Sequence, residues 1–163
     1  MTKKLPNTII FLDEPMFDRF EHEVKDIIKE EEVKGNLPAD PNYFYDIMKM
    51  CCIGEPSCNQ TLISYNSIAK RVESIAFMSY CRDNYGENVG QLNLWYNYSR
   101  IDKHDKDTLM SKALEFCVNA CCGRVGFTTY RPEKRAFARI LKKFGFKKMP
   151  VTFFELNLEN KND

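Results

Sequence analysis

The spacing of the hydrophobic residues changes twice along the chain, and this change restricts the fold more than any other sequence feature. Between residues 16 and 34 apolar side chains recur every three or four positions, which is the period of an amphipathic helix. From Gln91 to Tyr98 polar and apolar residues alternate, as in a strand with one covered face. Helical spacing returns after Thr108. Helices on both sides of a central run of strands predict an α+β fold.

Cap and turn residues divide the chain into ten predicted elements. Asp13 suits a helix cap, Pro15 suits a first helical turn, and Gly35, Gly123 and Gly145 suit helix ends. In chain order we predict a strand at 8–12, helices at 16–34 and 43–52, strands within 62–81 (clearest at 74–81) and at 91–98, a helix from Asp107 or Thr108 to Cys121, a strand at 125–129, a helix at 132–144 and a strand at 151–158.

These elements predict a mixed, mostly antiparallel central sheet of about six strands, flanked by helices, with the Trp95 strand central. The length of 163 residues suits a single domain over 1–163. Hydrophobic residues make up 44% and charged residues 29%, as in ordinary soluble proteins. Apolar runs are far shorter than the roughly 20 residues that span a bilayer, and the first residues do not resemble a secretory signal. We therefore expect no membrane partner and a cytoplasmic location.

Seven cysteines occur in a pattern that favours neither zinc nor disulfides. Two adjacent pairs are present, Cys51–Cys52 and Cys121–Cys122, and no Cys-x-x-Cys motif occurs. The two histidines, His22 and His104, are far apart in sequence. We therefore predict no metal site, and thiols that are reduced and mostly buried.

The charge is unevenly distributed although the net charge is only +1. Residues 1–60 carry 12 acids against 7 bases, and residues 131–148 carry eight bases against Glu133 alone. Such a basic segment suits an anionic partner, including nucleic acid, although a solvated helix face has the same pattern. The sequence lacks the interleaved exposed aromatic residues that single-strand binding usually needs. The predicted partner-binding residues are Arg131, Arg135, Arg139, Lys142 and Lys143.

Two segments of the second half resemble the GNAT-type N-acetyltransferases. In the first, the strand Leu92–Tyr98 leads through a polar loop into the helix that begins near Thr108. In the second, the helix Ala136–Phe144 ends in a Lys-Phe-Gly-Phe turn before a β-rich end. The resemblance covers roughly Ser74 to Leu158. It implies the family's fold and, for active members, acetyl-CoA as a cofactor.

The resemblance also locates the cofactor loop. In the family, backbone N–H groups of an Arg/Gln-x-x-Gly-x-Gly/Ala loop bind the pyrophosphate, and glycines allow the close approach. A register without gaps places Ile101 at the Arg/Gln position and His104 and Lys106 at the two glycine positions. Basic side chains offer another way to hold phosphate. The candidate cofactor-binding residues are Tyr98, Lys103, His104 and Lys106.

The family's general acid is a Tyr in the last helix, which protonates the departing thiolate. In this chain Leu141 occupies that position and cannot transfer a proton. The candidate replacements are Tyr130 and Tyr98, with Tyr96 as a further aromatic of the same strand. The acids nearest to a general base are Glu73, Asp83 and Glu87, with Glu73 the first candidate. A tyrosine in a strand is also typical of the core, and a carboxylate in a strand or turn is also typical of the surface.

These departures favour a non-catalytic binding or assembly protein on an acetyltransferase-like scaffold, for which no cofactor is expected. Small internal virion proteins of short-tailed phages combine a similar fold with eroded motifs, so a phage virion or accessory role is one form of this hypothesis. Its partners are then proteins of a larger assembly, in host cytoplasm or virion. The alternative is an active N-acetyltransferase that uses acetyl-CoA on a primary amine. A third possibility is nucleic-acid binding through the basic segment.

Overall fold

The computed structural model describes residues 7–35, 40–53, 58–98, 101–127, 139 and 142–147. The chain divides into two compact units, Met1–Tyr130 and Arg131–Asp163. The first unit contains three helices and five strands among its described residues. They are β1 (Thr8–Phe11), α1 (Glu14–Val33), α2 (Pro41–Ile53), β2 (Asn59–Asn66), β3 (Arg71–Arg82), β4 (Asn88–Asn97), α3 (Lys103–Asn119) and β5 (Arg124–Phe127). The expectation of a single domain over 1–163 stays a prediction.

The five described strands form one mixed sheet in the order β1-β2-β3-β4-β5. The first three pairings are antiparallel, and β4 and β5 run parallel. The predicted α+β class and the mostly antiparallel sheet are therefore confirmed. Among the described strands β4, which holds Trp95, is an interior strand between β3 and β5, and its central place in a sheet of about six strands stays a prediction. The predicted strand at 151–158 lies outside the described residues.

Helix α1 follows its sequence signals closely. The carboxylate of Asp13 caps the helix by accepting a 3.0 Å hydrogen bond from the Met16 N–H, and Pro15 lies in the first turn. Its apolar stripe is buried under the sheet, and Gly35 follows the helix with a φ of +69°, a conformation that favours glycine. The buried stripe consists of Phe17, Phe20, Val24, Ile27 and Ile28.

Both faces of the sheet are covered. One face packs against α1 and α2 through a continuous apolar cluster that includes Ile75, Phe77 and Leu94. Helix α3 packs on β2 and β3 at the other face, where it buries Leu109 and Ala113. Because alternate strand residues point to opposite faces, a sheet covered on both sides reads as a nearly continuous apolar run. This explains why β3 buries seven consecutive residues.

The start of α3 differs from the prediction. We expected a helix that begins at Asp107 or Thr108, but α3 begins at Lys103 and is capped by Asp102. The first turn carries no apolar stripe, so hydrophobic spacing does not reveal it. Asp105 instead fixes this turn, since its buried carboxylate accepts a 3.1 Å hydrogen bond from the Asn7 N–H.

The second unit is described at residues 139 and 142–147. Arg139, Lys142 and Lys143 are helical and exposed. Gly145 follows them with a φ of +82°, and its N–H donates to the Lys142 carbonyl oxygen at 3.0 Å. The predicted helix end at Gly145 is confirmed. The rest of the predicted apolar stripe of this helix lies outside the described residues, apart from the half-buried Phe144.

Gly90 on β4 offers a direct test of the packing between the sheet and α3. A Cβ added there would lie 2.5 Å from the Cys117 sulfur and 3.1 Å from Val125 Cγ2. We expect Gly90→Ala to lower the free energy of unfolding by about 1–3 kcal/mol through overpacking. The matched control is Gly126→Ala on β5, where a Cβ meets nothing within 4 Å. Urea unfolding measures both, and equal stabilities for the two variants would contradict this packing.

Candidate functional site

The C-terminal end of β4 and the start of α3 together form the candidate site. Asn93 is an extra residue on β4, because Phe77 of β3 pairs with Leu94 while Met78 pairs with Leu92. Such a β-bulge bends the strand. The pairing with β5 reaches Leu92 in the described residues, whereas β4 continues to Asn97. Among the described residues, the second half of β4 thus runs toward α3 beyond the pairing with β5.

A carboxylate occupies the N-terminus of α3. The Asp102 side chain accepts a 2.7 Å hydrogen bond from the His104 N–H, and the Asp102 carbonyl oxygen accepts one from the Lys106 N–H at 3.1 Å. An N-cap of this kind satisfies helix N–H groups that have no partner inside the helix. It also places a negative charge at the positive end of the helix dipole, where an anionic ligand would otherwise bind.

The predicted cofactor residues surround this helix start. Lys103 and His104 are exposed, and Lys106 is half-buried. Ile101, which the family register places at the Arg/Gln position, is buried, and its N–H donates to the Tyr98 carbonyl oxygen at 3.1 Å. The structure therefore brings three basic side chains together at the first turn of α3, and the side chain at the Arg/Gln position belongs to the core.

Glu73 lies beneath this site and is 2% exposed. One carboxylate oxygen accepts a 2.9 Å hydrogen bond from the Asn7 amide. The other accepts bonds from Asn66 at 3.1 Å and from the Arg71 guanidinium at 2.9 Å. Three side chains from three parts of the chain thus hold both oxygens. This arrangement suits a structural anchor better than a general base, which must reach a substrate proton.

Tyr98 lies next to the Glu73 anchor. The guanidinium carbon of Arg71 lies 4.0 Å from the centre of the Tyr98 ring, and the Tyr98 N–H donates to the Glu73 carbonyl oxygen at 2.7 Å. The structure therefore brings together two of the predicted catalytic candidates, Tyr98 and Glu73, through Arg71. Arg71 and Asn7 did not emerge from the sequence, because only the long-range pairing of the strands places them beside Glu73.

Tyr96 belongs to the apolar cluster on the α1 face of the sheet, against which Tyr98 also packs. Its hydroxyl donates to a Glu30 carboxylate oxygen at 3.1 Å. Burial, and then the charge of Glu30, raise the pKa of Tyr96 well above its ordinary value. A phenol with a raised pKa gives up its proton less readily, so Tyr96 is a poor general acid.

The other predicted site residues lie elsewhere. Asp83 and Glu87 belong to the turn before β4. The ten residues of β4 separate this turn from the start of α3, and a strand of that length spans on the order of 30 Å. The Asp83 carboxylate accepts N–H bonds from Tyr85 and Glu87 and forms an ion pair with Arg124. Tyr130, Arg131 and Arg135 lie outside the described residues.

The cysteines differ from the expectation of mostly buried thiols. All seven lie among the described residues, where none forms a disulfide; only Cys117 is buried, while Cys58, Cys81 and Cys121 are exposed. Burial, and then the neighbouring Cys122, raise the pKa of Cys117 to about 12. In the described part of the chain, no group of three or more His, Cys, Asp or Glu side chains is arranged to hold a metal ion. No helix among these residues is long and apolar enough to cross a membrane.

No family model and no curated protein matches this chain. Solved structures of acetyltransferases do match. Aminoglycoside N-acetyltransferase AAC(6')-Iy in complex with CoA aligns with a TM-score of 0.73 and 10% identity over 97% of this chain and 99% of its own. Aminoglycoside 6'-N-acetyltransferase AAC(6')-IG from Acinetobacter haemolyticus aligns with a TM-score of 0.70 and 12% identity, over 93% of this chain and 99% of its own. A probable acetyltransferase aligns with a TM-score of 0.70 and 12% identity, over 93% of this chain and 97% of its own. The protein therefore has the GNAT-type acetyltransferase fold.

The Glu73 anchor is testable through stability. We expect Glu73→Gln to lower the free energy of unfolding by about 1–3 kcal/mol, because the new amide turns a donor toward groups that are themselves donors. The matched control is Glu115→Gln on α3, whose partner Lys112 is exposed, and an exposed pair contributes about 0–1 kcal/mol. Urea unfolding distinguishes the two. Equal losses would show that Glu73 does not hold the strands together.

Proposed function

We propose that this protein is a non-catalytic binding or assembly protein built on an acetyltransferase scaffold. The carboxylate of Asp102 at the start of α3 carries the proposal, because it lies where the family resemblance assigns the acetyl-CoA pyrophosphate. A phage virion or accessory role is the form of this proposal that the resemblance to internal virion proteins suggests. The protein partners of such an assembly are part of the same proposal.

Two losses at this position argue against pyrophosphate binding. The Asp102 side chain already accepts a hydrogen bond from the His104 N–H, so this donor is not available to a ligand. Side chains at His104 and Lys106 replace the two glycines that permit close backbone approach. Charge-assisted hydrogen bonds contribute about 1.5–3 kcal/mol each. Losing two of them weakens binding by a factor on the order of a hundred or more.

Charge adds to these losses. The Asp102 carboxylate repels a phosphate at the same position, although solvent and salt weaken this repulsion because Asp102 is itself exposed. Lys103, His104 and Lys106 offer compensation, but their exposed or half-buried positions leave them well screened by solvent. The basic side chains therefore attract phosphate less specifically than a glycine loop of backbone N–H groups does.

The second candidate function is an active N-acetyltransferase. It is favoured by the bulge at Asn93, because a bulge bends the strand that leads into the predicted cofactor loop. The solved AAC(6')-Iy structures contain CoA or a CoA bisubstrate analogue. Under this function Tyr98 is the candidate general acid within the described residues, and Tyr130 is the other candidate that the sequence offers.

Calorimetry with acetyl-CoA separates the two functions. We expect the protein to bind acetyl-CoA no tighter than about millimolar and to release no CoA when a primary amine is added, as followed by chromatography. The variant Asp102→Ser keeps a helix cap and removes the charge, so we expect it to bind acetyl-CoA more tightly than the natural chain. The control Glu115→Gln removes an exposed charge elsewhere on α3 and should leave binding unchanged. Micromolar binding to the natural chain would overturn the proposal and favour the enzyme.

The basic segment is the proposed contact for an anionic partner, and heparin serves as its probe. Arg139 and Lys142 are exposed, so the pair Arg139→Glu and Lys142→Glu should elute from a heparin column at lower salt while melting at nearly the same temperature. The control reverses two exposed charges of the first unit, Lys29→Glu and Lys70→Glu. Equal elution of both double variants would contradict a specific contribution from the basic segment.

A further inference from the structure

Strand β1 forms one edge of the described sheet. Its residues pair with β2 from Thr8 opposite Tyr65 to Phe11 opposite Leu62. The Leu12 N–H donates to the Thr61 carbonyl oxygen at 3.0 Å, so Leu12 points its backbone groups toward β2. Because this direction alternates along an antiparallel strand, Ile9 and Phe11 direct their N–H and C=O groups away from the sheet.

The described residues of β1 carry none of the sequence features that keep sheet edges apart. Proteins protect edges with charged side chains, with proline or with bulges. The strand Thr8–Phe11 contains no charged residue and no proline, and its pairing with β2 is regular throughout. Phe11 is 50% exposed, so a large apolar side chain lies at the outer edge.

A shallow groove lies beside the exposed Phe11 ring. It has a volume of about 130 Å³ between β1 and the C-terminal half of α3, and its lining residues are Phe11, Gln60, Lys112, Glu115, Phe116 and Asn119. Lys112 and Glu115 form an ion pair of 2.7 Å, so their charges cancel. The two charged residues that line this groove therefore pair with each other.

We propose that β1 binds β1 of a second copy of this chain, in an antiparallel arrangement with a two-fold axis beside Ile10. Ile9 then lies opposite Phe11 of the second copy, and Phe11 lies opposite Ile9 of the second copy. Residues opposite each other in such a pair exchange both N–H···O bonds, so four hydrogen bonds form from groups that point outward. The sheet becomes continuous across ten described strands.

The second copy fits this edge better than other partners do. A two-fold interface brings the same patch together from both sides, so it must be complementary to itself. The outward N–H and C=O groups of Ile9 and Phe11 meet this requirement, since each residue supplies one donor and one acceptor. The apolar side chains of Ile9 and Phe11 point to the same face, and the exposed Phe11 ring is covered by Ile9 of the other copy.

Sedimentation equilibrium over a wide range of concentrations tests the dimer. We expect the natural chain to form dimers and Phe11→Lys to raise the dissociation constant at least tenfold, because a lysine at the edge opposes strand pairing. The control Val118→Lys places the same charge at an exposed apolar site on α3 and should leave the dimer intact. A second variant, Ile9→Pro, removes an outward N–H without removing a bond to β2, and should also dissociate the dimer.

Cross-linking tests the register. Ile10 lies opposite Ile10 of the second copy in a pair without hydrogen bonds, where side chains come closest. Mild oxidation of the Ile10→Cys variant should therefore give a disulfide-linked dimer joined at position 10 of both copies, identified by mass spectrometry of the linked peptides, whereas Thr8→Cys should give no such link. Monomers of the natural chain at the highest concentration, or dimers that persist in both Phe11→Lys and Ile9→Pro, would overturn the proposal. A dimer that links through position 8 and not 10 would overturn this register.

Discussion

The buried carboxylate of Glu73 is the contact on which the arrangement of the sheet and the candidate site depends. It joins the residue before β1, the end of β2 and the start of β3, through Asn7, Asn66 and Arg71. Burying a charge is costly unless it is paired and hydrogen-bonded. The three donors meet this condition only when the strands pair in the observed register, so the carboxylate selects that register.

The same contact reaches the start of α3. Asn7 donates its side chain to Glu73 and its backbone N–H to Asp105, so one residue joins β3 to the first turn of the helix. Arg71 stacks on Tyr98 at the end of β4. The start of α3 is therefore positioned from the sheet side, and Asp102 then caps it with a negative charge. A helix start that is both anchored and capped by carboxylates is well suited to stability and poorly suited to an anionic ligand.

The sequence predicted those parts of the fold whose signals are local. Asp13, Pro15 and the apolar stripe predicted α1 closely, and alternation predicted the strand that holds Trp95. The start of α3 was missed because Asp105, whose partner Asn7 lies 98 residues away, replaces an apolar stripe there. The burial of cysteines was overestimated for a related reason. A thiol suits a surface turn as well as a core, and the three exposed cysteines all lie at or beside the ends of strands or helices.

We propose that the Asp102 carboxylate takes the position at the N-terminus of α3 that a cofactor phosphate would otherwise occupy. Amide NMR during addition of acetyl-CoA tests it most directly, because the His104 N–H reports on its acceptor. We expect the His104 and Lys106 amide signals to stay at their positions, because Asp102 remains the acceptor of both N–H groups. Saturable shifts of both signals at micromolar acetyl-CoA would contradict it.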